Sequence, residues 1–214
     1  MTDNEKILAI LKSEYPDPKP ALNFKNAYEL LVAVILSAQC TDVRVNKVTE
    51  VLFEKYPDPA SLAACDISEL EDVIHSCGCY KVKAKNLKSM ANDLIEKFGG
   101  QVPRTMEELT SLAGCGRKTA NVVMSNAFGI PAIAVDTHVF RVSNRLGLAQ
   151  AKDVLKTEQQ LRDNIPEQDW SDAHHWLIFH GRRVCTARAP RCAECALKEL
   201  CRYNRERTTT NDSR

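Results

Sequence analysis

Leu112-Ala-Gly-Cys-Gly-Arg-Lys-Thr-Ala-Asn-Val-Val123 places a lysine just inside a helix that begins after two glycines. Gly114 and Gly116 bracket a single residue, a spacing that predicts a tight turn where positive φ or close backbone approach is cheap only for glycine. Amide N–H groups freed at such a turn and at a helix start point outward and make a phosphate seat. Lys118, followed by Thr119, falls in the first helical turn, near the positive end of the helix dipole. An ammonium is disfavoured there relative to the free amine. A free amine beside a bound phosphate backbone suits covalent attack on a sugar carbon. A lysine that only grips phosphate accounts for this segment equally well.

A second segment lies downstream. Pro131 ends the preceding helix, Ala132-Ile-Ala-Val135 is an apolar run, and Asp136-Thr-His-Val-Phe-Arg141 follows. Asp136 is placed to cap the next helix. A carboxylate fixed in that way also suits proton transfer or the steadying of a developing cation, and the two roles are compatible.

The third segment is Cys185-x6-Cys192-x2-Cys195-x5-Cys201, four of the nine cysteines. The N-terminus, Met-Thr-Asp-Asn-Glu, is acidic and polar and fits neither a secretory nor a mitochondrial signal, which predicts a reducing, cytoplasmic setting and free thiols. Metal binding is then the expectation. Zinc sites of four cysteines favour two close Cys-x2-Cys pairs, and one is present; the ferredoxin spacings do not match either. Spacing alone does not separate zinc from a [4Fe–4S] cluster.

Together, in this order and at these intervals, the three segments resemble the endonuclease III family of helix-hairpin-helix DNA glycosylase/AP lyases. The resemblance runs over nearly the whole chain and includes Leu30-Leu-Val-Ala-Val-Ile-Leu-Ser-Ala-Gln39 and His174-His-Trp-Leu-Ile-Phe-His-Gly181. It implies that Lys118 is the nucleophile, Asp136 its carboxylate partner, and Cys185, Cys192, Cys195 and Cys201 the ligands of a [4Fe–4S] cluster. It implies a reaction in base excision repair: removal of oxidised pyrimidines through a lysine Schiff base, then strand cutting by β-elimination. The implied partner is duplex DNA with damaged bases or abasic sites, bound by a monomer. Gln39 would enter the gap left by an extruded nucleotide. Gly114, Gly116, Thr119, His138, Arg188 and Arg191 are the further DNA contacts expected. Three positions depart from the family pattern: Ala113 where proline is common, Cys115 for an aliphatic residue, and Cys79 where a larger apolar wedge is frequent. An adenine mismatch glycosylase with the same cysteine tail lacks a lysine at position 118. A non-catalytic iron–sulfur DNA-binding protein would need neither Lys118 nor Asp136.

Composition fits this reading without demanding it. The chain has 214 residues, 44% apolar and 27% charged, with a formal net charge of +1. That balance does not announce a nucleic-acid binder, so the placement of charge decides. Arg182, Arg183, Arg188, Arg191, Lys198 and Arg202 predict a local basic face, whereas Arg205 and Arg207 read as a solvated tail. The longest apolar run, Leu30 to Leu36, is too short for a membrane span, so no membrane partner is expected; the resemblance implies a bacterial cytoplasmic location, at the nucleoid. Cys40, Cys65, Cys77, Cys79 and Cys115 show no ligand spacing and read as small buried hydrophobes. His174, His175 and His180 read as packing residues.

Helical periodicity dominates, and the fold class expected is all-α. Helices are predicted near 3–15, 26–38, 42–55, 59–64, 68–76, 83–98, 105–112, 117–128, 137–146, 153–164 and 170–180. The stretch 26–38 is apolar nearly all round, as in a helix buried on several sides. The resemblance implies two lobes: a six-helix lobe over 20–130 that carries the hairpin, and a cluster lobe formed by 1–19 with 131–214. Lys118 and Asp136 would then meet at a cleft.

Overall fold

Side-chain caps set most of the helix starts. Thr2, Asn26, Thr41, Asp58, Asp66, Thr105, Asp136 and Asp153 each accept a backbone N–H from the first turn that follows. A cap of this kind contributes about 1 kcal/mol. They begin α1 (Asp3–Glu14), α2 (Ala27–Ser37), α3 (Asp42–Lys55), α4 (Pro59–Ala64) and α5 (Ile67–Ile74). They also begin α7 (Met106–Ser111), α9 (Thr137–Leu146) and α10 (Val154–Asn164). Three helices start without one: α6 (Tyr80–Phe98), α8 (Arg117–Phe128) and α11 (Trp170–Arg183). α11 continues directly from a 3-10 turn at Glu167–Asp169. This computed structural model describes residues 1–211, ending in α12 (Arg202–Asn211), and every regular element among the described residues is helical.

The chain divides into two compact units, Pro20–Ile130 and the N-terminal Met1–Lys19 with residues from Pro131 onward. In the first, α2 is buried from Tyr28 to Leu36 and packs against α3, α6 and α8. Its all-round apolar surface has a partner on each side. This unit holds seven helices where the resemblance implies six. α4 and α5 are separate because Cys65 leaves the helix with extended backbone and Asp66 caps a fresh start.

In the second unit, Ile7, Leu8 and Leu11 of α1 pack on α11, and α9 packs on the same helix. Gly181 allows that approach: a Cβ there would lie 3.0 Å from Val142 Cγ2 and 3.1 Å from His138 Nδ1. The run Ala132–Val135 is buried, and the Ala134 carbonyl lies 2.7 Å from His174 Nδ1.

Boundaries differ from the sequence reading in three places. α6 starts three residues before the predicted 83, because Cys79 turns into it in the left-handed region, which leaves no capping residue to signal the start. α11 runs three residues past 180. α12 is absent from the prediction because Arg202-Tyr-Asn-Arg-Glu-Arg207 has no apolar stripe; Arg202 anchors it by donating to the Asn144 carbonyl at 2.8 Å.

His174, His175 and His180 are buried in α11, as packing residues would be. Burial, reinforced by His174 nearby, pushes His175 down to about 3. Its folded value lies below the unfolded one near 6.5, so the stabilisation is complete above that pH and is lost as pH falls toward 3. A steepening of up to about 1.4 kcal/mol per pH unit is expected below pH 6. Chemical denaturation of His175→Phe against the parent between pH 6 and 4 should show a shallower slope in the variant.

Candidate functional site

The hairpin is built on glycine only where the backbone needs it. Leu112 leaves α7, Cys115 N–H donates back to the Leu112 carbonyl at 3.1 Å, and Gly114 takes φ +78°. A Cβ on Gly114 would lie 3.1 Å from Asn86 Cβ and 3.3 Å from Ile35 Cγ2. Gly116 differs from the expectation. Its φ is −82°, and a Cβ there would meet nothing within 4 Å. Neither backbone nor protein packing requires glycine at 116, so the open space over it is what the residue preserves. Gly114→Ala should therefore destabilise by about 2 kcal/mol, from left-handed strain and crowding. Gly116→Ala should stay within about 0.5 kcal/mol. Thermal melts decide, since 2 kcal/mol corresponds to roughly 4–8 °C in a chain of this size.

α8 follows Gly116, its N-cap, and its start has no side-chain cap hydrogen bond. Lys118 is exposed in that turn and Thr119 is half-buried. Cys115 between the glycines is buried, and burial pushes its thiol up to about 12, so it behaves as a small hydrophobe.

Beside the hairpin, in the same unit, two turns carry left-handed residues that are not glycine. Gln39 (φ 54°) follows α2 and Cys79 (φ 57°) precedes α6; both are exposed. A Cβ on Gly78 would lie 3.4 Å from the Gln39 carbonyl, so the two turns are neighbours. The exposure of Cys79 corrects the expectation that all five non-ligand cysteines are buried, and Cys40 is only half-buried. Cys65 and Cys77 are buried as predicted.

In the other unit, Asp136 caps α9 through Oδ1, which accepts from His138 N and Val139 N, each at 2.8 Å. Both bonds use one oxygen, which leaves Oδ2 outside the cap. His138 is half-buried, with Nδ1 3.2 Å from Arg141 Nη2. Burial lowers its pKa, against the raising effect of Asp136.

The four C-terminal cysteines line one pocket with His180, Arg191 and Tyr203. Burial first, and then the other thiols of the set, push Cys195 and Cys201 up. Arginines of α9 brace the loop. Arg141 donates to the Cys185 carbonyl through Nε and Nη2 (3.2 and 3.1 Å). Arg145 donates to Cys185 Sγ (3.4 Å) and to the carbonyls of Thr186 (2.8 Å) and Ala187 (2.9 Å). Among the described residues no set of three or more His, Cys, Asp or Glu is placed to hold a single metal ion. The donor chemistry of the set is that of four soft sulfur ligands, which suit iron and sulfide as well as zinc.

Arg188 is exposed on this loop, but Arg191 turns its guanidinium to the Arg183 carbonyl and so helps to close the loop. Arg205 and Arg207 are exposed, as expected, and each also has a surface partner. Arg205 pairs with Asp3 at 3.1 Å and Arg207 lies over the Tyr203 ring. Sequence reasoning also passed over Lys83, Asn86, Arg141 and Arg145. Lys83 was detectable: it falls in register with Leu87, Met90 and Leu94 on the buried stripe of α6.

A helix-hairpin-helix ending in an uncapped helix, with a cysteine loop in the second unit, defines a class of DNA repair proteins. The model of the HhH-GPD superfamily base excision DNA repair protein matches residues 32–167. Endonuclease III of Bacillus subtilis (strain 168) is 53% identical over 194 residues, covering 90% of this chain and 89% of that one. Endonuclease III of Escherichia coli (strain K12) is 45% identical over 198 residues, 92% and 94% of the two chains. The structure of a trapped endonuclease III–DNA covalent intermediate, an estranged-adenine complex, is 48% identical with a TM-score of 0.91, covering 97% of this chain and 100% of that one. The chain belongs to the HhH-GPD superfamily and, within it, to the endonuclease III family, as a DNA glycosylase/AP lyase of base excision repair. No helix of the described residues is long and apolar enough to cross a membrane.

Proposed function

We propose that the protein removes oxidised pyrimidines from duplex DNA through a Schiff base on Lys118 and then cuts the strand by β-elimination. The observation that carries this reading is an exposed lysine in the first turn of a helix whose start has no side-chain cap and open space above it. A base in a duplex is out of reach, so the nucleotide is first rotated out, at a cost of a few kcal/mol that damaged bases reduce. First-turn amides of α8, with the turn at Gly114 and Gly116, hold a backbone phosphate, and Thr119 adds a polar contact. Gly116→Ala, neutral for stability, should for this reason weaken binding to an abasic duplex.

The amine of Lys118 attacks C1′ as the C1′–N bond to the base breaks, and the base leaves with the bond's electron pair. Asp136 steadies the positive charge that develops on the sugar. Loss of the amine proton and opening of the sugar ring give the Schiff base. That cation acidifies C2′–H, and loss of this proton expels the 3′ phosphate. Gln39 fills the vacated place and hydrogen-bonds the orphaned base. The trapped complex of the endonuclease III relative, with its estranged adenine, supports both the covalent step and a gap opposite a base.

Cys185, Cys192, Cys195 and Cys201 would hold a [4Fe–4S] cluster. With every ligand a protein thiolate, it would supply structure and stiffen the loop that presents Arg188. His138, beside Asp136, is a further phosphate contact. Purified protein should be yellow-brown with four iron and four sulfide per chain; a colourless protein with stoichiometric zinc refutes the cluster. Substrate class is tested by turnover on oligonucleotides that each carry one lesion. Equal or absent activity on oxidised pyrimidines relative to other lesions refutes that part.

A further inference from the structure

Lys83 is almost fully buried, 5% exposed, near the start of α6. Its stem lies along the stripe of Leu87, Met90 and Leu94, and its Nζ reaches the end of α2. There it donates to the carbonyls of Leu36 at 2.9 Å and Ala38 at 2.7 Å. These are last-turn carbonyls, which a helix cannot satisfy internally and whose partial negative charge favours a lysine head. Gln39 follows immediately, in the left-handed conformation that a side chain with a Cβ disfavours. Such a conformation persists only where its surroundings impose it. On one side the Ala38 carbonyl is fixed by Lys83; on the other Gly78 faces the Gln39 carbonyl, which a Cβ on Gly78 would approach to 3.4 Å. Cys40 N–H closes the turn on the Ser37 carbonyl at 3.1 Å, and Thr41 at once caps α3.

We propose that Lys83 is the positioning residue that clamps the Gln39 turn and so sets selectivity for the base opposite the lesion. The proposal rests on the reading that Gln39 contacts that base. Lys83 itself lies beneath the turn and touches no DNA. Without its two bonds, the carbonyls of Leu36 and Ala38 lose their partner, and Gln39 relaxes toward ordinary backbone conformations. Its amide then no longer presents one fixed donor and acceptor pattern to the orphaned base, and discrimination falls while the chemistry at Lys118 continues.

The test uses the cluster-loaded, full-length protein. Lys83→Met keeps the stem and removes the donors; Lys83→Gln, with a shorter polar head, replaces it if the methionine variant does not fold. Single-turnover rates are measured on one lesion placed opposite each of the four bases, for the parent, Lys83→Met, Gln39→Ala and the double variant. Amide hydrogen exchange over residues 37–41 is followed in the DNA-free proteins. Exchange in the turn is expected to rise at least tenfold in Lys83→Met, with α8 unchanged. The half-saturating protein concentration should rise severalfold, with the maximal single-turnover rate within twofold. The opposite-base preference should flatten to that of Gln39→Ala, and the double variant should match Gln39→Ala. Unchanged exchange, or a parental preference in Lys83→Met, overturns the proposal. Faster exchange together with a parental preference in Gln39→Ala overturns the base-reading role of Gln39, and selectivity through Lys83 with it, while the clamp stands.

Discussion

Lys118→Gln is expected to abolish covalent capture: borohydride should trap the parent protein on lesion-bearing DNA and trap none of the variant. Glutamine matches lysine in helix propensity, and the position is exposed, so stability should change by less than about 0.5 kcal/mol. The amide nitrogen of glutamine has its lone pair delocalised and cannot attack C1′. Loss of the attacking group should lower turnover by on the order of 10⁴-fold or more. Binding to an abasic duplex should weaken only several-fold, because the α8 amides remain. A trapped adduct at parental yield in Lys118→Gln would refute the assignment. Full retention of strand cutting without an adduct would point to a different lyase chemistry.

Asp136→Asn separates capping from chemistry. Asparagine caps as well as aspartate, so the bonds to His138 and Val139 and the melting temperature should survive. The neutral amide cannot balance positive charge on the sugar, and turnover should fall by roughly 10²–10⁴-fold. Trapping on a preformed abasic site should be slowed rather than lost, which distinguishes this variant from Lys118→Gln. Asp136→Ala should additionally lose about 1 kcal/mol with the cap. Near-parental rates in Asp136→Asn would leave Asp136 a structural residue only.

Helix type and most boundaries were legible because most starts carry their own cap and α2 its own apolar surface. The predictions lapse where those signals stop. Cys79 enters α6 by left-handed backbone, a conformation its side chain does not advertise. α12 is polar on all sides, so its attachment through Arg202 leaves no period in the sequence. In the hairpin, two glycines look alike on paper but serve different ends: Gly114 for φ and for room beside Asn86, Gly116 for space outside the protein. The cysteine spacing pointed to one shared centre without naming it, since thiolates serve zinc and iron alike. The arginine bonds that brace the loop join residues some forty positions apart, which a local reading of spacing does not detect.

Lys83 and Asn86 sit one helical turn apart on α6, one beneath the Gln39 turn and the other against Gly114.

The division of the chain also bears on its synthesis. Residues 20–130 emerge as one uninterrupted stretch, able to collapse on themselves while the ribosome is still at work. α1 emerges first but packs on α11, which follows more than 150 residues later. At about 5–20 residues per second, its Ile7, Leu8 and Leu11 stripe waits roughly 10–30 s for cover. That interval makes the first helix a natural client for chaperones during translation.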